Sequence, residues 1–154
     1  MKYYLIAAIV GFTISCNFIT SNNSEIIVEV VPTAATYTYT DTSRFYFSIN
    51  NLSDQTIYYS TCIEPVLKKK TQTTFKSLPP SGIVCECICL VRISPIENDT
   101  LVIKSNWILS RNQNKRDFVQ GEYRLFPTLF YDDNFRQQID HDQIKSSTFE
   151  IINP

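Results

Sequence analysis

Several residue types that build catalytic or nucleotide-binding sites are scarce in this chain, whose 154 residues include three Gly, one His, one Met and one Trp. So few glycines leave little material for phosphate-binding loops, and a single His leaves little for acid–base chemistry or a metal cluster. The charges nearly cancel, with 14 Lys and Arg against 15 Asp and Glu. Nucleic-acid-binding domains normally present a basic face instead. We therefore expect no nucleic-acid partner, no cofactor and no catalytic activity.

Long hydrophobic runs are also missing, since a membrane-spanning helix takes about 20 apolar residues in a row. The N-terminus carries a shorter apolar run, residues 3–12, after Lys2 and before the small residues that precede Cys16. These are the three parts of a secretory signal. Residues 13–16, Thr-Ile-Ser-Cys, resemble the lipobox of bacterial lipoproteins, with Thr13 where that family usually has Leu. The resemblance implies a signal peptide over residues 1–15 and lipidation of Cys16; a plain secretory signal, with Cys16 an ordinary thiol, is the alternative.

The residues after Cys16 are polar and show no periodicity. They predict a short tether over residues 16–24, followed by one domain over residues 25–154. Several acyl chains anchor a protein stably, whereas one chain holds it only marginally. The tether lacks the acidic run that marks some bacterial lipoproteins for the cell surface. We therefore expect a lipid-anchored protein of the bacterial cell envelope that faces the periplasm.

From residue 25 onward, apolar and polar residues alternate with a period of two. Phe45, Phe47 and Ile49, for example, alternate with polar neighbours and Tyr46. This alternation is typical of strands that face a core on one side. Residues 132–147 are a polar exception, expected to form a long loop or to carry one helical turn. Short strands at regular spacing predict an all-β sandwich or barrel, with strands at 25–31, 43–50, 56–62, 65–70, 73–78, 83–91, 100–110, 121–131 and 147–152.

Two segments resemble a family of bacterial Ig-like domains. Residues 45–59 form an alternating strand, then Asn51-Leu52-Ser53, a polar turn and a second strand; Gly121-Glu122-Tyr123-Arg124 matches the opening of a late strand in that family. The resemblance spans about residues 26–152, and BsuPI-type proteinase inhibitors share the outline. It implies an Ig-like antiparallel β-sandwich of about seven to nine strands, in a family of mostly exported or lipid-anchored proteins. In this family Asn51, Gly121 and Tyr123 keep the fold.

Two aromatic residues are expected to stabilise this fold. Tyr123 suits a tyrosine corner, in which the hydroxyl bonds to nearby backbone. Trp107 is in phase with Ile103 and Leu109. This phase favours core packing over a binding role for Trp107.

Four cysteines remain besides Cys16, an even number that favours disulfides in an exported protein. Cys85, Cys87 and Cys89 are spaced by two and share one strand face. We expect Cys62 to pair with Cys87 or one of its neighbours, which would stabilise the fold by about 2–4 kcal/mol. One alternative is a Zn²⁺ or Cu(I) site of four thiolates. A flat strand does not let two sulfurs converge and no His lies nearby, so we expect no metal; reduced thiols are the other alternative.

His141 and a group of lysines are expected to have structural roles rather than functional ones. His141 lies between Asp140 and Asp142 in a polar stretch, and the chain has no nucleophile motif that would need a base. We expect His141 to be a solvated loop residue. The lysines at 68–70 and 76 indicate a solvated strand or an edge strand protected against pairing with other chains, rather than a docking patch.

The sequence therefore predicts a non-catalytic domain that binds a protein or an envelope component through loops or an edge strand. A proteinase inhibitor is the second hypothesis, with the proline-containing loop 78–83 as its candidate reactive loop. Soft-metal binding through the cysteines is the third. The candidate binding loops are 50–55, 79–83, 111–120 and 132–146.

Overall fold

A computed structural model describes residues 25–40, 42–78, 80, 89–104 and 120–154. In these ranges the chain forms strands, joined by turns and by one short 3₁₀ helix at His141–Gln143. The all-β class predicted from the sequence is confirmed. The strands are β1 (Val28–Pro32), β2 (Thr36–Thr38), β3 (Arg44–Asn51), β4 (Ile57–Ser60), β5 (Val66–Thr71), β6 (Thr74–Ser77), β7 (Leu90–Ile93), β8 (Asn98–Lys104), β9 (Gly121–Phe126), β10 (Leu129–Phe130), β11 (Ile144–Ser146) and β12 (Phe149–Ile152).

The strands form an Ig-like β-sandwich. One layer is a four-stranded sheet in the order β11-β1-β3-β8, and the other is a five-stranded sheet in the order β2-β12-β9-β5-β6. Aromatic side chains join the two layers. The ring of Phe47 on β3 meets that of Phe149 on β12 edge-on at 5.1 Å, and Tyr37 on β2 meets Phe45 at the same distance. Edge-to-face rings at this separation add to the stability gained from burial alone.

The alternation of β3 shows why this sequence folds as a sandwich. Phe45, Phe47 and Ile49 are at most 1% exposed, while the residues between them face outward. Complete burial of one such side chain is worth about 1.5–3 kcal/mol. The same alternation recurs on β8, β9 and β12, so one core fills the space between the two layers.

On one side of the sandwich, the chain crosses from one sheet to the other between consecutive strands. The chain leaves β1, which pairs with β3, and three residues later enters β2, which pairs with β12 in the other layer. The segment β11–β12 makes the same crossing. As a result β1 pairs with β11, and β2 with β12, in parallel. The predicted antiparallel sandwich thus contains two parallel pairs, because the crossing segments run in the same direction.

A three-stranded sheet in the order β10-β4-β7 extends the five-stranded layer. The β4–β10 pair continues the β5–β9 pair beyond two buried prolines, Pro65 and Pro127. Proline has no N–H to donate, so the ladder of hydrogen bonds stops at both. The single strand predicted over 121–131 is therefore wrong: β9 ends at Phe126 and β10 begins at Leu129.

Several predictions concern residues outside the described ranges. They are the signal peptide 1–15, Cys16, the tether 16–24, Trp107, Cys85, Cys87 and most of the loops 79–83 and 111–120. Within the described ranges, no helix is long and apolar enough to cross a membrane.

Candidate functional site

Four chain segments meet at the end of the four-stranded sheet where residue 25 lies. The N–H of Ile27 donates to the carbonyl of Gln143 at 3.0 Å, and the N–H of Leu52 donates to the carbonyl of Ile27 at 2.8 Å. These bonds continue the pairing of β1 with β11 and with β3 past the ends of the strands. We call this region the loop end; it comprises residues 25–27, 52–56, 94–98 and 137–143.

Asn51, at the end of β3, holds two of these segments in place. Its side chain is 1% exposed, and its amide donates to the carbonyls of Gln55 at 2.7 Å and Ile93 at 3.1 Å. Its carbonyl oxygen accepts from the backbone N–H of Ser53 at 3.1 Å and from the Ser53 hydroxyl at 2.7 Å. Both ends of the buried amide are therefore satisfied, and loop 52–56 is joined to β7. The Asn51-Leu52-Ser53 pattern is a glycosylation sequon in form, but the side chain that would carry the sugar is buried.

Residues 94–97 form a tight turn between β7 and β8. The N–H of Glu97 donates to the carbonyl of Ser94 at 3.2 Å, and the N–H of Ser94 donates to the Glu97 carboxylate at 3.1 Å. Pro95 takes the second position and Ile96 the third, where φ is 62°. This is the arrangement of a type II turn, whose third position usually holds Gly or Asn. A β-branched residue there is strained, at a cost of about 1–3 kcal/mol.

Ile96 is also the most exposed large hydrophobic residue in the described part of the chain, at 93%. Its backbone is fixed, because its N–H donates to the carbonyl of Asn51 at 3.1 Å and the N–H of Asn51 donates to the carbonyl of Glu97 at 3.0 Å. Leu52 is 56% exposed beside it. An apolar side chain is thus presented to solvent on a rigid, strained backbone.

A shallow cleft of about 790 Å³ lies between the turn and the end of β3, lined by Asn50, Asn51, Leu52, Ile96, Glu97 and Asn98. Asn50 and Asn98 are opposite each other in the β3–β8 register. The lining of the cleft therefore combines two apolar side chains with amide and carboxylate groups. A few polar groups among apolar walls are typical of binding sites.

A partly buried polar contact lies next to Asn98, which lines the cleft. The hydroxyl of Tyr59 on β4 donates to a carboxylate oxygen of Asp99 on β8 at 3.0 Å, joining the three-stranded sheet to the four-stranded sheet. Burial, and secondarily the negative charge of Asp99, raises the pKa of Tyr59. The tyrosine therefore keeps its proton across the physiological range and continues to donate this bond.

The charge of the loop end is of one sign. Its four segments contain Glu25, Asp54, Glu97, Asp140 and Asp142 but no Lys or Arg. The lysines of β5 belong to the other layer of the sandwich, although Lys68 comes close enough to His141 to lower its pKa. A surface of one sign attracts partners of the opposite sign and raises their rate of association.

The lysine-rich strand β5 lies inside its sheet, and His141 is half-buried rather than fully solvated. Among the described strands, β5 lies between β9 and β6, so three of the lysines are not on an edge and only Lys76, on β6, is. Lys68 lies over the ring of Phe126 at 4.1 Å, and His141 packs on the same ring at 5.3 Å. His141 is half-buried, and its Nε2 has no hydrogen-bond partner among the described residues. Burial lowers the pKa of His141, Lys68 lowers it further, and Asp140 opposes them.

Tyr123 and Gly121 lie at the start of β9. Tyr123 is completely buried and stacks on Phe149 at 5.9 Å. Its hydroxyl has no hydrogen-bond partner in the described part of the chain, so the expected tyrosine-corner bond is absent; the ring points into the core instead. Burial raises the pKa of this hydroxyl. Gly121 has φ of 138°, and a Cβ there would lie 3.0 Å from Cε of Lys69, so the position requires glycine.

The two described cysteines, Cys62 and Cys89, are not joined by a disulfide. The N–H of Thr61 donates to the carbonyl of Cys89 at 3.0 Å, so Thr61 lies opposite Cys89 and Cys62 is offset by one residue. The other pairings that were considered involve undescribed residues, so a disulfide among the four cysteines stays a prediction. Among the described residues no three His, Cys, Asp or Glu side chains gather as a metal site requires.

Comparisons with known proteins give little more. No protein-family model matches the chain, and no curated protein matches it. Among solved structures, it is similar to the ASH / PapD-like domain of human CEP192 (PapD-like domain 7), with 12% identity over 99% of this chain and 96% of that one, at a TM-score of 0.35. It is also similar to a β-glucosidase from Listeria innocua in complex with gluconolactone, with 12% identity over 80% of this chain and 16% of that one, at a TM-score of 0.33. At these scores neither likeness carries an argument about function.

Proposed function

We propose that this chain is a non-catalytic, lipid-anchored module of the cell envelope that binds another protein through its loop end. The observation that carries the proposal is Ile96, exposed at 93% on a backbone with φ of 62°. Its side chain adds almost nothing to the core, and its conformation costs stability. Contact with a partner protein would explain why an exposed apolar residue occupies this strained position.

Protein binding fits the loop end better than catalysis does. The cleft is shallow, and the described groups around it are amides and carboxylates rather than a nucleophile beside a base. Loops at the end of a sandwich are held by the sheets beneath them and can present contacts without disturbing the core. The second hypothesis, a proteinase inhibitor, gains no support here, because its candidate loop 78–83 lies mostly outside the described residues.

The anchor proposed at Cys16 would keep this surface close to a membrane. The stretch from Cys16 to Glu25 spans at most about 30 Å when fully extended. Glu25 belongs to the loop end, so a partner that meets Ile96 would itself be near or in the envelope membrane. Intact mass of the membrane-purified protein tests the anchor. We expect the mass of residues 16–154 plus acyl groups, and an unlipidated product would contradict the anchor.

Site-specific photocrosslinking tests the binding function. A photoreactive amino acid replaces Ile96 in one strain and Leu90 in a control strain, since Leu90 is also exposed, at 41%, but lies at the far end of β7. We expect discrete protein adducts from position 96 and none of the same mass from position 90. Equal adduct patterns at the two positions, or none at position 96, would refute protein binding at the loop end.

A further inference from the structure

The cleft contains groups suited to an extended peptide. Asn98 lies opposite Asn50 across β3 and β8, and its carboxamide can both donate to and accept from a peptide backbone. The Asn50 side chain already accepts from the Ser48 hydroxyl at 2.8 Å and bonds to Glu29. Leu52 and Ile96 also line the cleft, and both are exposed. A peptide backbone that bonds to Asn98 would place a side chain near these two apolar residues.

Glu97 adds a charge at a fixed position. One of its carboxylate oxygens accepts the N–H of Ser94 at 3.1 Å, which holds the group in the turn. A carboxylate offers about four acceptor positions, so this bond leaves it able to accept from a cation as well. The loop end around it has five acidic residues and neither Lys nor Arg.

We propose that the cleft binds an extended segment of the partner protein in which an apolar side chain, held between Leu52 and Ile96, is next to a Lys or Arg that pairs with Glu97. This inference rests on the proposed function, since it specifies the chemistry of the protein partner. Charge complementarity selects this occupant over the bilayer surface. Anionic lipids attract basic segments and repel acidic ones.

Three synthetic peptides with the same Val-Leu-Val core test the proposal, one flanked by Lys, one by Ser and one by Glu. Each carries a fluorophore and is titrated with the full chain in detergent, with binding read as anisotropy. We expect the Lys-flanked peptide to bind at least tenfold more tightly than the Glu-flanked peptide at low salt. The difference should shrink at about 0.5 M salt, where the screening length falls to a few ångströms.

Variants localise the binding. Ile96→Ser should weaken the Lys-flanked peptide about ten- to one-hundredfold, the loss expected for one buried aliphatic side chain. Leu90→Ser, a matched change elsewhere on the surface, should leave the affinity within twofold. Glu97→Lys should reverse the order of the Lys- and Glu-flanked peptides.

The outcomes separate this inference from the proposed function. Failure of the Lys-flanked peptide to bind, or equal binding of all three peptides, overturns the inference. Crosslinks at position 96 would still support protein binding in that case. Binding of the chain to phosphatidylglycerol vesicles that depends on Ile96 would also overturn the inference, because it would make the membrane the occupant.

Discussion

Replacement of Ile96 by glycine should stabilise the domain while weakening its binding. The left-handed conformation costs a non-glycine residue about 1–2 kcal/mol. Glycine removes this cost but loses about 0.4–1 kcal/mol through the greater freedom of the unfolded chain. The side chain is 93% exposed, so its removal takes almost nothing from the core. The net gain should be about 1 kcal/mol.

Urea unfolding measures this gain directly. With an m-value of about 2 kcal/mol per M, the midpoint of Ile96→Gly should rise by about 0.5 M at unchanged m. Ile96→Ala is the matched control: it removes most of the side chain but keeps a Cβ at positive φ, so its midpoint should rise by clearly less. A midpoint that falls in the glycine variant would show that the side chain packs on its own domain, and would refute the idea that it is presented to a partner.

Three further predictions concern buried polar groups. Asn51→Ala should lower the free energy of unfolding by about 2–4 kcal/mol, because it leaves buried backbone groups without partners; Asn98→Ala, nearby and exposed, should cost under about 0.5 kcal/mol in the same urea assay. Since the pKa of His141 lies below its ordinary 6.5 in the folded state, the unfolded chain binds more protons. Stability should therefore fall as pH drops through about 6.5, and His141→Gln should flatten this part of the pH profile, whereas an unchanged slope would contradict the lowered pKa. Tyr123→Phe should leave the unfolding midpoint unchanged or raise it slightly, since it deletes an unpartnered buried hydroxyl; a loss above about 1 kcal/mol would reveal a hydrogen bond of the tyrosine-corner kind.

Much of the fold could be predicted because burial imposes a local period on the sequence. Phe45, Phe47 and Ile49 alternate over a full strand, and β3 forms where the alternation predicts it. By contrast β2 and β11 have three residues each, too few to show a period. They are strands because the crossing chain brings β12 beside β2 and β1 beside β11. The local sequence of three residues does not predict such pairing.

The candidate site was only partly predictable for a similar reason. Loop 50–55 follows a clearly alternating strand and contains turn residues, so the sequence predicts it as a candidate binding loop. The positive φ of Ile96 could not be predicted, because this conformation is usually predicted from a Gly or Asn at the third position of a turn, and Ile96 is neither. The conformation depends on hydrogen bonds that join Ile96 and Glu97 to Asn51, which is more than 40 positions earlier in the chain. A single sequence shows neither those contacts nor the cleft they form.

The parallel pairing of β1 with β11 and of β2 with β12 has a mechanical consequence. If tension acts between Glu25 and the end of β12, β1 and β2 are drawn toward the loop end while β12 is drawn the other way. The hydrogen bonds between β2 and β12 then lie across the direction of pull and bear the load together instead of opening one after another. The sandwich should thus resist extension along this axis more strongly than peeling of β6 from its edge.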